Sequence, residues 1–345
     1  MALNKKKTFI IAEAGVNHNG SLKLAKRLVD VAADAGADAV KFQTFRTGRL
    51  VTSRAPKAAY QRKNAAGAGN AGETQFAMLK KLELSEGDFR KIAAYCGKKG
   101  IMFLSTPFDP ESAEFLNDIG MKYFKISSGD VTNTPFLAKV AAYGKPVILS
   151  TGMSSLDEVR ASVRAVRKAG NSKLTLLHCT SDYPAAYRDA NLKAMATLGR
   201  VFKVPVGYSD HTPGIEVAVA AAAMGASVIE KHFTLDRRMA GPDHACSLEP
   251  GELKRMVNAV RHIELALGDG VKSARPAEGE IKRMARKSVV AAGDIPRGEK
   301  IKESHLTVKR PGTGIGPDRL RELIGKRARR DICADEVITP QKVLL

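Results

Sequence analysis

Short apolar, β-branched runs alternate along the chain with segments of helical period. TFIIAEA (8–14), AVKFQTF (39–45), IMFLST (101–106), YFKISS (123–128), PVILST (146–151), LTLLHCT (174–180), VPVGYSD (204–210) and SVIEKHF (227–233) read as strands. Between them lie amphipathic stretches such as SLKLAKRLVDVAADAG (21–36), with Leu24, Leu28, Val31 and Ala35 on one face and Ser21 as N-cap. SEGDFRKIAAYCGKKG (85–100) and SLDEVRASVRAVRKAG (155–170) follow the same plan. Gly36, Gly100 and Gly170 stand where a glycine just past a helix end is favoured. Eight strand–helix alternations within about 270 residues predict parallel strands and a (β/α)8 TIM barrel, a fold class of α/β type. A doubly wound open sheet is the alternative, but no glycine fingerprint follows the first strand.

The texture changes after EPGELKRMVNAVRHIELALGDG (249–270). The following stretch, to residue 286, is polar and charged, and then short apolar pieces are separated by turn signals (Gly-Asp, Pro-Arg-Gly, Arg-Pro-Gly). The expected organisation is a barrel over 1–275, a linker over 276–286 and a small β-rich domain over 287–345. A domain of that size is marginal alone, so packing against a barrel is expected to support it.

Hydrophobic residues make up 44% of the 345, enough for a sizeable core. No apolar run has the roughly 18 residues a membrane helix needs. The start, MALNKKKTFIIAEAG, reads as the approach to a first strand and not as a signal peptide, because Glu13 interrupts its apolar part. Cys96, Cys179, Cys246 and Cys333 are scattered without a CxxC pair, against both a disulfide framework and a structural zinc site. A cytoplasmic protein is expected. The formal net charge of +20 raises nucleic acid as a partner. The basic residues are dispersed, no aromatics interleave with them and Trp is absent, so the charge reads instead as suited to anionic substrates.

In a barrel, the polar residues at the carboxyl ends of the strands form the active face. Those ends carry Glu13; Lys41 and Gln43; Ser105 and Thr106; Lys125, Ser127 and Ser128; Ser150 and Thr151; His178, Thr180 and Ser181; Ser209 and His211; and Glu230, Lys231 and His232. A single such residue is as well explained as a solvated strand end, but the whole set is not. Two lysines, several hydroxyls and a glycine-flanked KISSGD suit a phosphate or carboxylate. His211 and His232 fall at the mouths of neighbouring strands. They serve either as structural or general-base histidines or as joint ligands of a divalent ion. With no cysteine among these two strong ligands and no HExxH motif, a partly hydrated Mn²⁺, Mg²⁺ or Co²⁺ fits two imidazoles better than structural zinc. Glu13 would add a carboxylate directly or through water.

The segments IAEAGVNHNGSLKLAKRLVD, GADAVKFQTF, FLSTPFD, KISSGD, ILSTGM, LHCTSDYP, GYSDHT, EKHFTLD, GPDHACSLEP and KRPGTGI, in this order, give the chain a close resemblance to the sialic acid synthase family. Members of that family condense phosphoenolpyruvate (PEP) with an N-acylated mannosamine-type sugar. The resemblance covers nearly the whole chain and implies a barrel followed by a domain similar to type III antifreeze proteins, a SAF domain. It implies His211 and His232 as metal ligands, with Mn²⁺ the first choice. It implies Lys41, Thr106, Lys125, Ser128, Ser150, Ser181 and Ser209 as PEP-binding residues, and Gln43, Tyr183, Asp243 and Arg310 on the sugar side. It further implies a domain-swapped homodimer in which Arg310 closes the partner's sugar site. Lys41 and Lys125 are expected to act electrostatically, and Glu13, Glu230 and Asp243 are unranked candidates for proton handling. Asp130 stands where many members have Glu, and Ser181 where some have Asn, which leaves the sugar open. GPDH is shared with relatives making legionaminic, pseudaminic or spore-coat sugars. Two rivals remain: another PEP-dependent synthase making a 3-deoxy sugar acid phosphate, and a non-catalytic carbohydrate-binding module.

Overall fold

The computed structural model describes residues 7–58, 61 and 73–344; positions 1–6, on which part of the first-strand approach falls, lie outside them. The chain divides into two compact units, Met1–Asp269 and Gly270–Leu345. In the first, β1 (Phe9–Gly15), β2 (Ala39–Thr44), β3 (Met102–Pro107), β4 (Phe124–Ile126), β5 (Val147–Ser150), β6 (Leu174–Cys179), β7 (Val206–Asp210) and β8 (Val228–His232) form one parallel sheet ordered β3-β2-β1-β8-β7-β6-β5-β4. β4 also packs beside β3, which rolls the sheet into the expected TIM barrel. At three residues β4 is shorter than the pattern predicted, because the backbone turns at Ser128–Asp130 into a 3-10 turn.

The helices begin where the capping residues predict. Ser21, Ser85 and Ser155 each accept a backbone N–H of the first turn of Leu22–Asp34, Glu86–Lys99 and Leu156–Lys168, and Ser155 forms a full capping box with Glu158. Gly100 ends its helix at φ +69°, a conformation that costs any residue with a Cβ. Apolar faces of these helices and the apolar strand residues make one continuous core, including Ile11, Leu28, Phe42, Phe89, Leu104, Phe124 and Tyr208. This burial is the main force holding the barrel, and the strand carboxyl ends are left to carry polar groups. Among the described residues no helix is long and apolar enough to cross a membrane.

The second unit pairs β9 (Ser288–Ala291) antiparallel with β10 (Leu306–Lys309). Its small size predicted little core of its own, yet Val289, Ile295, Ile301, Ile315, Leu323, Ile332, Ile338 and Val343 form a contiguous buried cluster. The stretch 276–286, expected as a linker, contains a helix at Gly279–Ala285 and belongs to this unit. Its charged composition concealed a helical segment that buries none of its residues.

Candidate active site

At the carboxyl ends of the strands lies a cavity of about 600 Å³. The side-chain period of two sorts the polar residues there. On β8, Glu230 and His232 face the cavity while Lys231 points to the opposite side; on β7, Ser209 faces it and Asp210 does not, while His211, just past the strand, faces it again. The same parity brings in Glu13 from β1 and Lys41 and Gln43 from β2. Ser105, Thr151 and His178, expected with the strand-end set, do not line it. Their side chains contact Thr44, the Leu177 carbonyl and the Ala190 carbonyl respectively.

Two ammonium groups and two carboxylates occupy the cavity floor. Lys41 Nζ is 2.7 Å from Glu13 Oε2 and 3.8 Å from Glu230 Oε2, and it donates to Thr106 Oγ1 at 3.0 Å. Lys125 Nζ is 3.3 Å from Glu230 Oε1, which also accepts from Ser209 Oγ at 2.9 Å. All four charged groups are buried, and their charges cancel. Burial pushes Glu230 up, but Lys125 and Lys41 outweigh it and bring its carboxyl down to about 2. Burial of Glu13 wins over Lys41 and carries it up to about 7. The Lys41 ammonium at 2.7 Å favours the ionised carboxylate against that burial. The upward displacement means that its ionised state depends on that lysine, and an anion competing for Lys41 would let Glu13 take a proton. Lys41 is itself raised by Glu13 and Glu230 despite burial, whereas burial lowers Lys125 against the pull of Glu230.

Hydroxyls surround the lysines. Ser128 Oγ accepts from the Gly152 N–H at 2.9 Å and lies 3.1 Å from Cys179 Sγ. A side chain at Gly152 would collide with Ser181 Oγ and Cys179 Sγ, so only glycine lets these groups converge. Ser150 Oγ is buried and makes no hydrogen bond among the described residues. An orphaned hydroxyl beside paired hydroxyls and two lysines is a site waiting for an acceptor-rich anion. Asp130, by contrast, accepts from Ser127 Oγ at 3.2 Å and Asn133 Nδ2 at 3.1 Å and holds the turn that presents Ser128.

His211 and His232 meet at the mouth, with ring centroids 5.5 Å apart, and Tyr183 packs 4.2 Å from His211. His211 Nδ1–H donates to the Thr180 carbonyl at 2.7 Å, which leaves its lone pair on Nε2. His232 Nδ1 is buried and makes no hydrogen bond among the described residues. Burial keeps both imidazoles neutral, and His211 lowers His232 further. Neutral, oriented rings with an unpartnered nitrogen fit a divalent cation. No ready-made group of three or more His, Cys, Asp or Glu ligands exists among the described residues, so an ion held here would keep positions for water and substrate.

The far side of the cavity is different. Asp243 is buried and lifted to about 6 by burial, against the pull of Lys41. Gln43 Nε2 donates to Glu13 Oε1 at 3.4 Å. Val16, Leu50, Val51, Leu79, Phe108 and Pro242 also line the cavity, a largely apolar wall into which the Gln61 and Gln75 amides are set. Sequence reading missed this wall and also Cys179, because the wall comes from segments outside the strand ends, including helices Thr47–Leu50 and Gln75–Lys80. Every residue of the first unit that the family resemblance implies for metal, PEP or sugar binding or for proton handling lines the cavity, whereas Thr180, like Ser105, Thr151 and His178, does not. Arg310 lies in the second unit, exposed, directly after β10.

A family model described as the NeuB family matches residues 28–272, and a SAF domain model matches 286–344. The N,N'-diacetyllegionaminic acid synthase of Campylobacter jejuni is 50% identical over 96% of this chain and 99% of its own length. The enzyme of the same name from Legionella pneumophila is 48% identical over 94% of this chain and 92% of its own. Among solved structures, the N-acetylneuraminic acid synthetase of Leptospira borgpetersenii superposes with a TM-score of 0.69 at 37% identity, covering 81% of this chain and 94% of that one.

Proposed function

The chain belongs to the NeuB family, the sialic acid synthases, with a SAF domain, and from that premise we propose that it condenses PEP in the cytoplasm with an N-acylated mannosamine-type sugar and water, releasing a nonulosonic acid and phosphate. We propose the 2,4-diacetamido-2,4,6-trideoxy sugar as its substrate, with N-acetylmannosamine the poorer one. The names of the two relatives support this choice. So does the apolar wall of Leu50, Val51, Leu79 and Phe108, against which acetyl methyls and a deoxy carbon are at no loss. A sugar hydroxyl pressed against these apolar groups, out of reach of the Gln61 and Gln75 amides, would cost a few kcal/mol.

The observation that carries the reading is the buried quartet of Lys41, Lys125, Glu13 and Glu230 beneath two neutral imidazoles. Lys41 and Lys125, with Thr106, Ser128, Ser150, Ser181 and Ser209, would hold the carboxylate and phosphate of PEP. C3 of PEP forms the new bond to the open-chain aldehyde carbon, whose oxygen takes up a proton. Positive charge then develops at C2, where the permanently ionised Glu230 stabilises it. Water adds at C2 and gives up one proton, and phosphate then leaves with the C–O bonding pair and takes the proton of the C2 hydroxyl as that carbon becomes the ketone. Glu13 and Asp243, lifted by burial to about 7 and about 6, are the groups able to exchange these protons near neutrality. Glu230, at about 2, is not. A divalent cation, Mn²⁺ by preference and Mg²⁺ or Co²⁺ otherwise, would be held by His211 and His232 and would supply Lewis-acid polarisation of the aldehyde oxygen. A domain-swapped homodimer, with Arg310 of one chain serving the other's sugar, completes the proposal.

The test is phosphate release from PEP by the Mn²⁺-supplemented protein with each of the two sugars. PEP labelled with ¹⁸O in the bridging position should place the label in the phosphate. Turnover with a phosphorylated aldose and neither acylated sugar would favour a 3-deoxy sugar acid phosphate synthase, and no turnover with any sugar would leave a binding module.

A further inference from the structure

Behind the two histidines, on the side of β7 and β8 that faces away from the cavity, Asp210 and Lys231 are directly opposed in the parallel register. They form an ion pair of 2.7 Å with relative exposures of 0% and 1%. Lys231 Nζ also donates to the Thr212 carbonyl. Asp210 Oδ1 accepts from the Thr212 N–H at 2.9 Å and from Thr212 Oγ1 at 2.7 Å. The reaction chemistry uses none of these groups. A buried ion pair is also a poor source of stability, because an apolar pair of the same volume is often as stable or more so. Its position is what distinguishes it. His211 lies between Asp210 and Thr212, both tied to Lys231, and Lys231 immediately precedes His232. One ammonium therefore fixes the backbone on both sides of His211 and at the near side of His232.

We infer that Asp210, Lys231 and Thr212 are positioning residues that set the separation and aim of the His211 and His232 imidazoles for a divalent cation. The inference rests on the proposed role of those histidines. The polar groups of the clamp satisfy one another almost fully: the carboxylate accepts three bonds and the ammonium donates two of its three N–H groups. Such a network has one satisfied arrangement, since any slip of β7 against β8 leaves buried charge unpaired. Apolar packing would hold the strands together but would tolerate small displacements of the two rings, and metal sites lose affinity when the outer groups orienting their ligands are removed.

The experiment measures Mn²⁺ binding by EPR and, separately, PEP binding by calorimetry without metal. Variants are Asp210→Asn, Thr212→Val and the double Asp210→Asn/Lys231→Met. Asp210→Asn is expected to weaken Mn²⁺ binding tenfold or more while PEP affinity stays within twofold. Thr212→Val, which keeps both charges, is expected to weaken it about threefold. The double variant should regain thermal stability without regaining Mn²⁺ affinity. If Asp210→Asn does not fold, Thr212→Val and the double variant decide. Mn²⁺ affinity at the parent level in the double variant, or in every folded variant, makes the clamp a stability element only and overturns the inference. Failure of the unaltered protein to bind Mn²⁺ would instead overturn the metal role of His211 and His232.

Discussion

Replacing Lys125 by Met tests the electrostatic floor of the cavity most directly. The thioether keeps most of the volume and removes one charge. Lys125 Nζ is the nearest cation to Glu230 Oε1, at 3.3 Å; without it Glu230 retains Ser209 at 2.9 Å and Lys41 at 3.8 Å. The four-group floor then changes from neutral to carrying one net negative charge. PEP loses one charge-assisted contact, about 1.5–3 kcal/mol, which corresponds to roughly 10- to 150-fold in Kd. The protein loses stability as well, because a buried carboxylate gives up its closest counter-ion, at a cost of about 3 kcal/mol where a second cation remains nearby. Calorimetric titration with PEP, after circular dichroism has established the fold, measures the first quantity, and thermal unfolding the second. Adding Glu230→Gln to Lys125→Met should restore part of both, since it returns the floor to neutrality. Borohydride should trap no adduct of PEP or pyruvate in the unaltered protein, because Lys125 and Lys41 are proposed to act on PEP as charges and not as amine nucleophiles. A Kd for PEP within threefold of the parent in Lys125→Met, or a trapped adduct on Lys125 or Lys41, would refute the reasoning.

Chelation should abolish turnover and Mn²⁺ should restore it, while His211→Ala and His232→Ala each lose Mn²⁺ binding with an unchanged circular dichroism spectrum; full activity after chelation would contradict the metal role. Burial lowers His18, and likewise His244, from 6.5 to about 4, so the unfolded chain binds more protons between those values. Their contribution to stability is complete above pH 6.5 and is lost as pH falls towards 4; His18→Gln should flatten that part of the melting-temperature profile, and parallel profiles would argue against it. Arg310→Ala and His211→Ala should each be nearly inactive alone, yet co-expressed and purified through two tags their mixed dimer should turn over, because one barrel then keeps its histidine and receives an intact arginine. A mixed dimer no more active than either parent would rule out the swapped arrangement.

Much of the barrel is legible in the sequence because its signals are local. Ser21, Ser85 and Ser155 mark helix starts through hydrogen bonds made within three residues, and each strand appears as a compact apolar run. The lysine side of the cavity is legible for a related reason: a lysine embedded in a strand as apolar as AVKFQTF must find buried polar partners, and Lys41 finds them in the cavity. The short helix at Gly279–Ala285 is less visible, since an exposed helix lacks the apolar stripe by which helices are read. The ranking of Glu13, Glu230 and Asp243 is absent from the sequence altogether. It depends on distances between strands far apart in the chain, and above all on both Lys125 and Lys41 falling beside Glu230.

Lys231 shows how a local rule can be present and still be misapplied. Read as a strand-end cation beside Glu230 and His232, it joins the catalytic set. Read by parity, it cannot, because in a strand Glu230 and His232 share one face and the residue between them takes the other. The same parity separates Asp210 from Ser209 and His211. Two adjacent strands thus send alternate residues to opposite sides at one level. The side that faces the cavity carries Ser209, His211, Glu230 and His232, and the side that meets the protein carries a buried ion pair. Charge on the inner face is free to meet a changing ligand only while charge on the outer face is not. Lys231, closed off from the cavity with Asp210, holds its strands together, whereas Lys41 and Lys125 line the cavity, where an arriving anion can take the place of one of their carboxylate partners.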